Sequence, residues 1–169
     1  MKSPSKGDSA PRQVTVAFDL AEFLPYRLAV TTNRVSRMFA KRYATQFGLT
    51  IAEWRVLAVV GQLGTCSPSA VGEWSAMDKV KVSRAAAALV ARGLIRQARD
   101  PNDGRGRLLR MTRKGIAWHN GVAPLAHSLE AALAEGLTKA EWTLLNKILV
   151  KLNAHVRAIE GPDPGAGPD

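Results

Sequence analysis

The chain of 169 residues contains one cysteine, Cys66, so no disulfide can close within it, and a lone thiol fits a reducing compartment. No apolar run approaches the length of a membrane span. The stretch from Met1 to Gln13 is rich in Ser, Pro and Lys and lacks the apolar segment of a secretory signal, which leads to an expected place in the cytoplasm. The marks of an enzyme are missing too: there is no nucleophile motif, phosphate-cradling glycine loop or metal cluster. His119, His127 and His155 lack metal-ligand spacing, so neither a metal nor another cofactor is expected. Acidic residues are scarce, 14 against 24 Lys and Arg, leaving a formal net charge of +10.

What is there is concentrated. Between Asp78 and Gly115 stand 11 Lys and Arg against 3 Asp, a surplus of eight in a chain whose total is +10. An evenly solvated surface does not gather charge in this way. A surface built to meet a polyanion does, because each Lys or Arg near a phosphate releases condensed counterions. Duplex DNA is the first suspect.

With 46% apolar residues the chain has the composition of a globular protein, and its length suits one domain. Leu24, Leu28, Val35, Met38, Phe39 and Tyr43 recur at helical spacing, predicting a helix from about Leu24 to Phe47 that Pro25 opens and Gly48 ends. Thr50-Ile51-Ala52-Glu53 reads as a capping box, followed by a helix carrying Trp54, Leu57 and Val60 that stops near Gly61–Gly64. Ser67-Pro68 opens a short helix with Val71 and Trp74. After Met77-Asp78 a further helix runs to Arg92, closed by Gly93, with Val82, Ala86, Leu89 and Val90 on one face. Those two helices make a helix-turn-helix, the second being the candidate reader. Leu94–Arg99 and Arg107–Thr112 flank a turn-forming stretch and predict a β-hairpin with a basic tip. Thr112 caps the next helix, in which Pro124 is a site for a kink. A second capping box, Thr138-Lys139-Ala140-Glu141, starts a last helix with Leu145, Ile148, Leu149, Leu152, Val156 and Ile159 on a broad apolar face. The expected fold is therefore mostly α with a small β-hairpin.

This order, and above all the string Met77-Asp78-Lys79-Val80-Lys81-Val82-Ser83-Arg84 with Leu89 and Arg92-Gly93-Leu94-Ile95, resembles the MarR family of winged helix-turn-helix transcription regulators. The turn Asp100-Pro101-Asn102-Asp103-Gly104-Arg105, then Leu109, Met111-Thr112 and Lys114-Gly115, complete the likeness, which runs from about Phe18 to Ile159. The family's wing usually carries Arg where this chain has Asn102. The resemblance implies a homodimer on a palindromic operator. It divides the chain into a disordered basic tail (1–17), a single domain (18–160) and a disordered tail (161–169). Within the domain, 18–48 and 116–160 are dimerisation helices and 49–115 is the winged head.

Within that frame Ser83 and Arg84 are placed to reach base edges in the major groove, where Arg pairs with guanine. Lys79 is a candidate DNA contact and Lys81 a candidate phosphate contact, Arg99, Arg107, Arg113 and Lys114 are candidates for the DNA backbone, and Ser67 and Ser69 begin a helix whose N–H groups can hold a phosphate. Arg105 is expected in the flanking minor groove, with Asp103 orienting it. The family also implies a small aromatic carboxylate, or its coenzyme-A thioester, bound between the first, second and fifth helices. Tyr26, Arg34, Arg37, Trp54, Trp118 and His119 sit on those elements, and core packing competes for each Trp. Two other classes stand beside this ligand-released repressor: a redox-responsive regulator acting through Cys66, and a sequence-neutral architectural DNA binder.

Overall fold

Side-chain caps set most of the helix starts. The computed structural model describes residues 18–101 and 106–161, which form six helices and one three-stranded sheet. Five of the six helices begin on a capping hydroxyl or carboxylate: Thr50, Ser67, Asp78, Thr112 and Thr138. At Thr50 and Thr138 the reciprocal bond from Glu53 and Glu141 is also made, so both boxes close.

The described residues divide into two compact units, parted between Met38 and Phe39 within helix α1 (Leu24–Phe47). The first unit holds the start of α1 and a turn before it. Asp19 Oδ1 accepts from Ala21 N at 2.8 Å, Arg27 pairs with Glu22 at 2.6 Å, and Phe18 meets Phe23 edge-on at 5.0 Å. Its apolar side chains, among them Leu20, Leu24 and Tyr26, are exposed.

The second unit begins with the end of α1, where Gly48 turns the chain at φ +57°, a region that L side chains enter only with strain. Helices α2 (Ile51–Leu63), α3 (Pro68–Ser75) and α4 (Lys79–Ala91) pack on one another around Val56, Leu57, Val60, Val71, Val82 and Leu89, all essentially without solvent contact. Their spacing gives the reason: on α4, Val82, Ala85, Ala86 and Leu89 form a single stripe. Val90, expected on that face, lies beyond it and is exposed.

Strands β2 (Ile95–Arg99) and β3 (Arg107–Met111) make the expected hairpin, pairing antiparallel from Ile95↔Met111 to Arg99↔Arg107. A third strand, β1 (Thr65–Cys66), pairs with β3 on its other side and gives the order β1-β3-β2. The hairpin is thus anchored at its base to the end of α2. Ile95 and Leu109 point to the core from one face of the sheet.

Helix α5 (Arg113–Ala134) continues past Pro124, burying Gly115, Val122 and Leu129. Helix α6 (Lys139–Glu160) buries none of its residues; Leu145, Ile148, Leu149, Val156 and Ile159 are all exposed.

Candidate nucleic-acid interface

The start of α4 separates charge from core. Asp78 Oδ1 accepts from Lys81 N at 2.8 Å, and Oδ2 meets the Lys81 ammonium at 2.9 Å. Those bonds from the Lys81 side chain and backbone hold the Asp78 carboxyl below its usual value. With the cap fixed, Val82, Ala85 and Ala86 turn inward while Lys79, Lys81, Ser83 and Arg84 stand exposed on the opposite side. Val80, 58% exposed, joins them as an uncovered branched apolar group amid cations. Lys81 differs from its neighbours in that a carboxylate already engages its ammonium.

Beside Lys81 and Arg84 a groove of about 370 Å³ opens between α4 and the first turn of α2, lined by Thr50, Ala52, Glu53, Lys81, Arg84, Ala85 and Ala88. Ser67, half-buried, caps α3 by accepting from Ala70 N at 3.1 Å; Ser69, the second residue of that helix, is exposed.

On the hairpin, Arg99 and Arg107 stand directly opposite each other, and so do Arg96 and Arg110; all four are exposed. Alternation along the strands puts the first pair on the face of Ile95 and Leu109 and the second on the other face. Arg96 and Arg110 were not among the expected contacts, although period-two counting along the strands would have found them. Like charges placed directly across a ladder are destabilising unless an anion lies between them. The Asp103 and Arg105 of the expected tip lie outside the described residues. Lys114 is engaged within the protein: its ammonium donates to the carbonyl of Arg92 at 2.9 Å. Arg113 is exposed at the first position of α5.

The residues expected to meet an aromatic ligand separate into groups. Trp54 stacks on His119, with centroids 5.6 Å apart and planes 30° inclined, and its ring also meets Tyr43 at 5.6 Å. Burial pushes the Tyr43 hydroxyl up to about 12. Trp118 instead meets Phe47 edge-on at 6.1 Å, and a guanidinium lies over it at 4.8 Å, that of Arg92. Arg92 was not foreseen in this role. It sits at the C-cap of α4 and the carbonyls its guanidinium binds lie 44 and 45 residues away, so no local pattern announces it. Tyr26, Arg34 and Arg37 lie on the stretch of α1 before Met38, in the other unit, with exposed side chains.

Cys66 lies in β1 opposite Leu109 and is buried. Burial pushes its thiol up, away from the reactive thiolate form.

A helix-turn-helix followed by an antiparallel hairpin that packs at its base on the same core defines a winged helix-turn-helix protein. Residues 47–106 match the sequence model of the MarR family. The HTH-type transcriptional repressor IacR of Pseudomonas putida is 25% identical over 144 residues, 85% of this chain and 86% of that protein. A probable transcriptional regulator from Pseudomonas aeruginosa, 28% identical, superimposes with a TM-score of 0.70 over 79% of this chain and 99% of its own. BpsR of Bordetella bronchiseptica, whose DNA binding is regulated by 6-hydroxynicotinic acid, is 25% identical, with a TM-score of 0.66 over 75% of this chain and 98% of its own.

Proposed function

We propose that this protein is a ligand-responsive regulator of transcription, not an enzyme, that binds duplex DNA sequence-specifically in the cytoplasm. The observation that carries the reading is the division of α4. A capped helix buries Val82, Ala85, Ala86 and Leu89 and leaves Lys79, Val80, Ser83 and Arg84 uncovered. Arg84 is the base reader, worth about 1–3 kcal/mol of discrimination when it pairs bidentately with guanine. Val80 offers an apolar contact to a thymine methyl, and Ser83 a hydroxyl. Arg99 and Arg107 take phosphates beside the site, Ser67 and Ser69 a phosphate at the start of α3, and Arg105 the flanking minor groove with Asp103 orienting it. Lys79, Lys81 and Lys114 add charge, the last two after giving up an internal partner.

The protein acts as a homodimer on a palindromic operator with half-sites about one turn, roughly 34 Å, apart. The uncovered apolar face of α6 supports this, since a monomer in water would leave Leu145, Ile148, Leu149, Val156 and Ile159 solvated. Binding represses transcription, and a small aromatic carboxylate or its coenzyme-A thioester releases it. The Trp54–His119 stack and the guanidinium over Trp118 supply surfaces for a ring and a carboxylate, and Tyr26, Arg34 and Arg37 are the further contacts expected on α1. To shift the dimer about 10⁴-fold from its DNA-competent form, such an effector needs roughly 5.5 kcal/mol of differential affinity. IacR, a repressor, and BpsR, regulated by an aromatic acid, support this reading by likeness. The redox alternative through Cys66 loses ground to the thiol's burial.

The test is selection of duplexes from a random library by the full-length protein, followed by comparison of Arg84→Ala on the selected and on scrambled duplex. The variant should lose at least about tenfold, ~1.4 kcal/mol, on the selected duplex alone. Equal loss on both would make the protein a sequence-neutral architectural binder.

A further inference from the structure

Every helix end leaves carbonyls without helical partners, and in this chain the end of α1 finds them a distant one. The Arg92 guanidinium donates to Gly48 O at 2.8 Å through Nη1 and to Phe47 O at 3.0 Å through Nη2. Its plane lies over the Trp118 ring at 4.8 Å, and the Glu53 carboxylate, held by Thr50 N at 2.7 Å, comes within 4.0 Å. From the other side Lys114 of α5 donates to the Arg92 carbonyl at 2.9 Å. One residue at the C-cap of α4 therefore takes contacts from the end of α1, the first turn of α2 and the first turns of α5. It does so beside Gly48, where the chain turns at a positive φ between α1 and α2.

Only arginine suits this place. Two donors in a rigid fork reach two successive carbonyls while the flat cation lies on an aromatic face; a lysine ammonium reaches one carbonyl and does not stack. The Arg92 guanidinium itself is directed back into the protein, its side chain 29% exposed, rather than outward as a DNA contact would be.

We propose that Arg92 is a positioning residue: it locks the reading helix to the end of α1 and the start of α5, and so fixes the separation of the two DNA-reading heads. The proposal rests on the dimeric, operator-binding reading above. In it Arg92 touches no nucleotide. It limits the angle at which α4 leaves the helices expected to form the dimer, so that only one half-site spacing fits. Because the same guanidinium rests on Trp118, a ligand that moves that ring also loosens the lock.

The test uses the full-length protein, the selected duplex, and versions of that duplex lengthened or shortened at the centre by one and two base pairs. Each added pair moves a half-site by about 3.4 Å and rotates it around the axis. Wild type should prefer the original spacing. Arg92→Ala should reduce that preference at least about tenfold, equivalent to ~1.4 kcal/mol, while affinity for scrambled duplex stays unchanged. Arg92→Lys should fall between the two, and Trp118→Leu, which leaves the carbonyl bonds in place, should also reduce the preference. Should Arg92→Ala fail to fold, the Lys and Trp118 variants decide. A spacing preference within twofold of wild type in the folded variants, whatever their melting temperatures, overturns the proposal and reduces Arg92 to a stabilising contact. If wild type itself does not distinguish selected from scrambled duplex, the operator-binding reading fails and takes this role with it; discrimination by wild type together with an unchanged spacing preference in the variants defeats the role of Arg92 alone.

Discussion

Gly115, in the first turn of α5, has no room for a side chain. A Cβ built there would lie 1.9 Å from the carbonyl oxygen of Leu94 and 2.9 Å from its carbon, whereas real Cβ atoms essentially never come within 3.0 Å. Gly115→Ala must therefore push the backbones apart by about 1 Å, and the oxygen in the way is engaged. Leu94 O accepts from Thr112 N at 3.1 Å and from Thr112 Oγ1 at 3.2 Å, while Thr112 Oγ1 accepts from Gly115 N at 3.0 Å. Losing two such bonds costs about 2 kcal/mol. Repacking the fully buried Leu94 costs about 2 kcal/mol more. Alanine's better helix propensity returns about 1 kcal/mol. The net is about 3 kcal/mol, or a fall in melting temperature of roughly 6–12 °C for a chain of this length. Calorimetry at fixed protein concentration measures it, because any self-association makes melting depend on concentration. Gly121→Ala in the same helix is the internal control: its Cβ would meet Phe47 at an ordinary 3.4 Å, so it should be neutral or stabilising by up to about 1 kcal/mol. A Gly115→Ala melting temperature within about 2 °C of wild type would refute the close approach of α5 to Leu94.

Other consequences are equally open to measurement. Replacing one thymine of the selected duplex by deoxyuridine, which lacks the 5-methyl group, should weaken binding by about 1 kcal/mol in wild type but not in Val80→Ala, as a contact between that methyl and Val80 requires. Equal losses in both proteins would remove Val80 from the interface. Arg99→Ala with Arg107→Ala should lower the slope of log K against log salt by about 0.9 for each phosphate left without its arginine; an unchanged slope would place the hairpin pair off the backbone. Cys66 should resist iodoacetamide and peroxide until the protein unfolds, and peroxide should leave DNA binding intact. Rapid labelling of the native protein would reopen the redox reading.

The parts of the fold that could be read in advance were those with local causes. Pro25 and Gly48 bracket α1, and both capping boxes declare themselves within four residues, so their helices begin where the sequence places them. The same holds for the basic start of α4, where Asp78 and the Val82–Ala86–Leu89 stripe orient everything between. What escaped depended on distance. Strand β1 has two residues, too few to carry a period, and exists because β3 offers it an edge. The fork of Arg92 spans 44 and 45 residues, and the stacking of Trp54 on His119 spans more, so neither leaves a trace in spacing. Val90 went astray because the stripe on α4 is narrower at its last turn than helical counting allows.

Helix α6 winds without burying a single side chain, and its start is secured by a reciprocal Thr138–Glu141 cap. Stretches of this kind are marginal in water, since nucleation of a helix is unfavourable and burial usually supplies what propensity does not. A locally secured start lowers the cost of nucleating this helix, so that a surface covering its apolar face would have less winding left to impose on contact. Any association through that face would then retain more of the gain from the apolar contact it makes.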